Sequence, residues 1–163
     1  MPNRIEPGPN QESVWDYPRP PALESVDDRL RVEFGGVTIA DTTNGYRVLE
    51  TSHPPTYYIP PTDVAMEYLE RESRTSMCEW KGRAVYYNVV VNGRRADQAA
   101  WSYPSPTEAF QPIADHLAFY AHKMGVCYVG DQKVDPQQGG FYGGWVTDRV
   151  VGPFKGGPGT LGW

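Results

Sequence analysis

Seventeen glycines and sixteen prolines are spread along a chain of 163 residues, about one position in five. Proline locks φ and lacks the N–H that a helix interior needs, and glycine loses the most backbone freedom on ordering. A helix bundle or coiled coil is therefore excluded, and short strands joined by tight turns remain. The length suits one domain that buries roughly 70% of its unfolded surface, without disulfides or metal as supports. A net charge of −5 argues against a non-specific binder of nucleic acid or of anionic membranes. No apolar run approaches the roughly 20 residues of a membrane span, and residues 1–21 lack the apolar core of a secretory signal. The expectation is a soluble, cytoplasmic, mainly β protein with no nucleic-acid or membrane partner.

Turn signals divide the chain. Residues 1–24 hold six prolines, with Trp15 and Tyr17 as large anchors, and read as an extended N-terminal arm whose second half docks. Residues 25–134 read as a β-rich core. Leu30–Phe34 and Val37–Asp41 alternate apolar and polar residues about Gly35-Gly36, the pattern of a hairpin with a primed turn. Tyr46–Glu50 and Thr56–Ile59 are strand-like on either side of His53-Pro54-Pro55. Thr62 followed by Asp63–Leu69 predicts a short helix, with Thr62 as N-cap and Asp63 at the positive end of the dipole. Ala84–Val91 is the strongest strand, and Asn92-Gly93 turns it back into Arg94–Trp101. Thr107–His116 accommodates one helical turn, Leu117–Ala121 is a strand, and Val126–Val134 is a last hairpin around Gly130-Asp131. Residues 135–163 contain nine glycines but also Phe141, Tyr142, Trp145, Phe154 and Trp163. A solvated linker would lack such rings, so this tail is expected to be ordered without regular structure. It would wrap its own domain or a second copy, which suggests a homodimer.

The common catalytic templates are absent: no H-E-x-x-H, G-x-S-x-G, Walker A or dinucleotide-binding glycine pattern occurs. Lys155-Gly156-Gly157-Pro158-Gly159-Thr160 superficially suggests a phosphate loop, but its lysine precedes the glycines and no helix follows. Cys78 and Cys127 are too few for a zinc site; a single disulfide between them is possible but unneeded at this length, and an acidic chain without a signal peptide suggests reduced thiols. His53, His116 and His122 are scattered, so neither a metal nor another cofactor is expected. Two segments hold denser chemistry. Glu50–Tyr58 gathers a carboxylate, an imidazole, hydroxyls and two phenols at a strand end that prolines stiffen, a setting for acid–base groups. Its plain alternative is a turn whose hydroxyls satisfy the backbone. Cys78-Glu79-Trp80-Lys81-Gly82 places a lysine beside an indole just before a buried strand, where burial would lower its pKa and let it bind an anion or act as a base. The alternative is a surface lysine snorkelling over a packed ring. Trp101, Tyr103 and Tyr120 add rings that could line a pocket or fill a core.

The runs VLETSHPPTYYIP (Val48–Pro60), CEWKGRAVYY (Cys78–Tyr87), AAWSYPSP (Ala99–Pro106) and HLAFY (His116–Tyr120) together resemble a bacterial and fungal family, domain of unknown function 427. The resemblance spans about Arg31–Val134, and the tail is similar to that of longer bacterial members. It implies a single antiparallel β-tent-like domain with one or two short helices, a fold outline shared with methionine sulfoxide reductase B and zinc-binding chaperones of small GTPases. The two CxxC zinc pairs of those relatives are absent here, so their metal does not carry over. A nucleotidyltransferase label sometimes attached to the family needs a Gly-Ser and paired-Asp arrangement that this chain lacks.

Two readings of function follow. In one, a small-molecule pocket carries metal-free acid–base chemistry of lyase, isomerase or hydrolase type. Glu50, His53, Lys81 and Cys78 would be its catalytic groups, and Tyr57, Tyr58, Trp80, Trp101, Tyr103 and Tyr120 would hold an unidentified, anionic substrate. In the other, a non-catalytic module recognises a protein through its aromatic tails and strand edges. Convergence of Glu50, His53, Cys78 and Lys81 on one concavity separates the two.

Overall fold

A computed structural model describes residues 2–163, and most of its regular structure is β. The strands, in chain order, are β1 (Glu12–Ser13), β2 (Ala22–Val26), β3 (Leu30–Phe34), β4 (Val37–Thr42), β5 (Gly45–Leu49), β6 (Thr56–Tyr58), β7 (Leu69–Cys78) and β8 (Gly82–Val91). After these come β9 (Arg94–Ser102), β10 (Leu117–Phe119), β11 (Val126–Val129), β12 (Gln132–Lys133), β13 (Asp135–Pro136), β14 (Trp145–Val146) and β15 (Val150–Val151). Local turn chemistry sets two registers. Gly35 and Gly36 take φ of 60° and 81° between β3 and β4, and Asn92 and Gly93 take 48° and 81° between β8 and β9. Positive φ at both central residues is the type I′ condition, and its twist matches that of the strands it joins.

Three sheets build the core. One runs β10-β9-β8-β7, a second β12-β11-β3-β4 and a third β2-β5-β6, all antiparallel. Reciprocal 2.8 Å hydrogen bonds between Ile59 and Leu117 carry the third sheet on into the first. The resulting surface has two apolar faces because side chains alternate along each strand. On one face Ile59, Val89, Val91, Leu117 and Phe119 pack against Leu30, Val32, Ile39, Cys127 and Val129 of the second sheet. On the other, Val48, Tyr58, Tyr86, Trp101, Tyr103 and Ala118 form a separate cluster, and this face bears the candidate site.

The expected helix over Thr62–Leu69 does not form. Two 3₁₀ turns, Pro61–Asp63 and Met66–Tyr68, take its place, and Pro60 rather than Thr62 is the N-cap. Eight residues are too few for a stable α-helix on their own, and tertiary bonds compete for them. Val64 bridges to Ala40, Ala65 N–H donates to Ile39 O at 2.8 Å, and Asp63 accepts a hydrogen bond from Thr42 Oγ1 at 2.6 Å. Leu69 then begins β7, a mostly exposed, polar edge strand that exists through its ladder with β8. Among the described residues helix is confined to 3₁₀ turns, including Glu108–Ile113 where one helical turn was expected. No helix is long and apolar enough to cross a membrane.

Both terminal segments pack on their own domain. Val14 is fully buried, β1 pairs in parallel with β15, and the Trp15 indole N–H donates to Pro153 O at 2.8 Å. The tail, expected to lack regular structure, instead folds over as a narrow hairpin, β13 against β14, pinned by Trp145. Its N–H donates to Pro55 O at 2.8 Å and its indole N–H to Phe119 O at 2.9 Å. Glycine is required where this hairpin lies flat: a Cβ on Gly144 would stand 2.6 Å from Pro54 O, and one on Gly143 would overlap the Trp101 ring.

Candidate functional site

Between the second apolar face and the tail hairpin lies a cavity of about 450 Å3. Glu50, His53, Cys78 and Lys81 all line it, although they come from two turns about thirty residues apart in the chain. The first turn follows β5. Ser52 adopts φ of 74° there and closes a tight bend in which His53 N–H donates to Glu50 O at 3.0 Å. Both termini clamp this bend: Ser52 N–H donates to Val14 O at 3.1 Å and accepts, through its own carbonyl, from Lys155 N–H at 2.8 Å. The second turn joins β7 to β8, where Cys78 pairs with Gly82 and Lys81 projects back into the cavity.

His53 is the most constrained group. Its Nε2 lies 3.7 Å from Glu50 Oε2, and its Nδ1 lies 3.1 Å from Gln137 Nε2. Tyr142 of the tail covers the ring edge-on, with centroids 4.8 Å apart. Burial, reinforced by the cations Lys155, Arg19 and Lys81, depresses its pKa to about 4 against the opposing pull of Glu50. The imidazole is thus neutral at physiological pH. Glu50 Oε2 also accepts from Arg19 Nη2 at 3.4 Å.

Lys81 corrects one expectation. Burial by itself would lower its pKa, but Tyr58, the Cys78 sulfur and the Glu50 carboxylate more than offset this and raise it above the ordinary lysine value. It is a held ammonium rather than a neutral amine, 5.8 Å from the Tyr103 ring centroid and 5.9 Å from that of Phe110. Burial also raises the phenols of Tyr58 and Tyr103, and pushes Tyr120 up to about 12, so all three remain neutral donors or acceptors.

Tyr58, Trp101, Tyr103 and Tyr120 line the cavity as anticipated, with Trp101 and Tyr120 ring centroids 4.6 Å apart. Tyr57 and Trp80 do not line it. Tyr57 follows the alternation of β6 onto the opposite face, where it packs on Trp145 at 5.3 Å and borders a second cavity beside Arg47. Trp80 sits at the tip of the β7–β8 turn, against the outside of the aromatic cluster. Six lining residues come from the tail, and the polar side chains among them, Gln137, Tyr142 and Lys155, went unrecognised in the sequence. Lys155 was visible only as part of a poor phosphate-loop match. It reaches the cavity instead as a cation over the Tyr142 ring, 5.6 Å from its centroid. Among the described residues the lining holds four cations, Arg74, Lys81, Lys123 and Lys155, against the one carboxylate of Glu50. In a chain of net charge −5 this is a local reversal of sign that concentrates anions.

No curated protein matches the chain. A family model described as Domain of unknown function (DUF427) matches residues 22–130, from the start of β2 to the end of β11. That range contains Glu50, His53, Cys78 and Lys81 and stops short of Gln137, Tyr142 and Lys155. The match covers most of the chain, in the region where the motifs suggested it, and the protein belongs to the DUF427 family.

Proposed function

We propose that the cavity binds a small anionic molecule with a planar or aromatic body, and that Glu50 exchanges a proton with it. The observation that carries this reading is the convergence of Glu50, His53, Cys78 and Lys81 on one cavity walled by Tyr58, Trp101, Tyr103 and Tyr120. Lys81 and Lys155 supply fixed positive charge for a carboxylate or phosphate, and the rings supply stacking area. Glu50 is the acidic group beside the neutral His53, within reach of a ligand whose anion sits on Lys81. Cys78, next to Lys81, completes the polar end.

A thermal-shift panel of aromatic and aliphatic carboxylates and phosphate monoesters tests the reading, with amide and alcohol analogues as controls. A ligand at a hundred times its Kd stabilises by about 2.7 kcal/mol, which at roughly 2–4 °C per kcal/mol moves Tm by about 5–11 °C. Lys81→Met, still folded by circular dichroism, is expected to lose that shift. The reading fails if no anion in the panel moves Tm, or if Lys81→Met responds as the parent does. One observation favours a second reading, a protein-interaction module: Met77 and Phe141 line the mouth of the cavity yet are 68% and 70% exposed. Under that reading Met77→Ser with Phe141→Ser abolishes capture of a partner and leaves any small-molecule shift intact.

A further inference from the structure

Gln137 is only 3% exposed, and each polar atom of its side-chain amide has a partner. Its Oε1 accepts from Gly144 N–H at 3.1 Å, and its Nε2 donates to Lys155 O at 2.8 Å. Those partners leave no freedom in the amide, since a backbone N–H can only donate and a backbone carbonyl can only accept. The remaining Nε2–H therefore points at His53 Nδ1, 3.1 Å away, and that ring nitrogen must accept. A neutral imidazole that accepts at Nδ1 carries its proton on Nε2.

We infer that Gln137 is a positioning residue that locks His53 in the Nε2–H tautomer, so that the histidine serves the site as a hydrogen-bond donor and leaves the role of base to Glu50. The 3.7 Å between His53 Nε2 and Glu50 Oε2 is too long for a direct bond, which leaves the N–H free to donate to a third atom. His53 and the ammonium groups of Lys81 and Lys155 thus make one end of the cavity a set of donors. The ligand group that fits there is an acceptor oxygen, a carboxylate or a carbonyl, with its labile proton directed at Glu50. This role belongs to the tail, since Gln137 lies beyond the segment that the family model matches. It rests on the proposed ligand site for its purpose, whereas the tautomer itself is a property of the protein alone.

Long-range 15N–1H correlation of the histidine rings reads the tautomer directly in protein without ligand. The chain has three histidines, and His53→Gln identifies the His53 signals. The expected spectrum shows a single His53 tautomer with Nδ1 unprotonated, and Gln137→Glu is expected to remove that pattern because a carboxylate accepts from Nδ1–H instead. Gln137→Leu is expected to give a mixture of tautomers. A parent spectrum with Nδ1–H, or with rapid exchange between tautomers, overturns the inference even if both variants fail to fold. An unchanged tautomer in a folded Gln137→Glu protein overturns it too. A panel in which no anion binds would sink the ligand reading while leaving the tautomer result standing, so the two failures are distinct.

Discussion

Trp145→Ala asks whether the glycine-rich tail is part of the domain or merely lies on it. Trp145 is 1% exposed, stacks on Tyr57, and bonds through both its N–H groups to Pro55 and Phe119 carbonyls. A buried indole removes about 200 Å2 from water, worth roughly 5 kcal/mol at about 25 cal/mol per Å2. The substitution keeps the backbone bond, loses the indole bond and leaves a cavity, and measured truncations of this kind cost roughly 3–5 kcal/mol. For a domain of this size that is a fall in Tm of roughly 6–20 °C in thermal unfolding followed by circular dichroism. If the tail detaches locally instead, the cost is capped at the tail's own docking energy, and the site loses Gln137, Tyr142 and Lys155 while the sheets persist. Limited proteolysis distinguishes the two, because a detached tail is cut after residue 134 in an otherwise protected domain. A drop of less than about 2 °C, with an unchanged digestion pattern, would refute the claim that Trp145 pins the tail.

Ser52→Gly relieves a left-handed residue and deletes a buried hydroxyl that has no hydrogen-bond partner among the described residues. These gains of roughly 1–2 kcal/mol each exceed the roughly 1 kcal/mol of extra chain entropy that glycine brings, so Tm is expected to rise by a few degrees. A lower Tm would show that the Ser52 hydroxyl is bonded after all. His53, with a folded pKa of about 4 against an ordinary 6.5, takes up a proton in the unfolded chain first. Its contribution is therefore complete above about pH 6.5 and is lost as the pH falls toward 4, a difference on the order of 3 kcal/mol. Denaturant unfolding of parent and His53→Gln between pH 4 and 7 should show their stabilities converging by that amount on acidification; parallel curves would contradict the buried, neutral imidazole. Gly143→Ala places a methyl group against the Trp101 ring and is expected to abolish the anion-induced thermal shift while the fold persists, so an undiminished shift would remove the tail hairpin from the site.

Much of the β framework was legible from residues near one another in the chain. Gly35-Gly36 and Asn92-Gly93 take positive φ with little strain, so the hairpins they close could be placed without knowing anything else. The apolar run of β8 and the glycine-with-aromatic composition of the tail are likewise local properties, and they predicted a buried strand and an ordered terminal segment. The turns bearing Glu50, His53, Cys78 and Lys81 were legible as chemistry too, because each is a short cluster of reactive groups. What tertiary structure alone decided depends on partners far away in sequence. Strand β7 is polar and exposed, and only its pairing with β8 makes it a strand; the eight residues expected as a helix were drawn out by Ala40, Ile39 and Thr42. The facing of Tyr58 into the cavity and of Tyr57 away from it needed the sheet, since alternation separates two neighbours but does not say which face is which. Lys81 stays charged because Tyr58, Cys78 and, thirty-one positions earlier, Glu50 together offset its burial. Gln137 is the extreme case. An amide among glycines carries no local signal, and it acquires its role only when the chain folds back across the domain and sets its N–H against His53, eighty-four residues away.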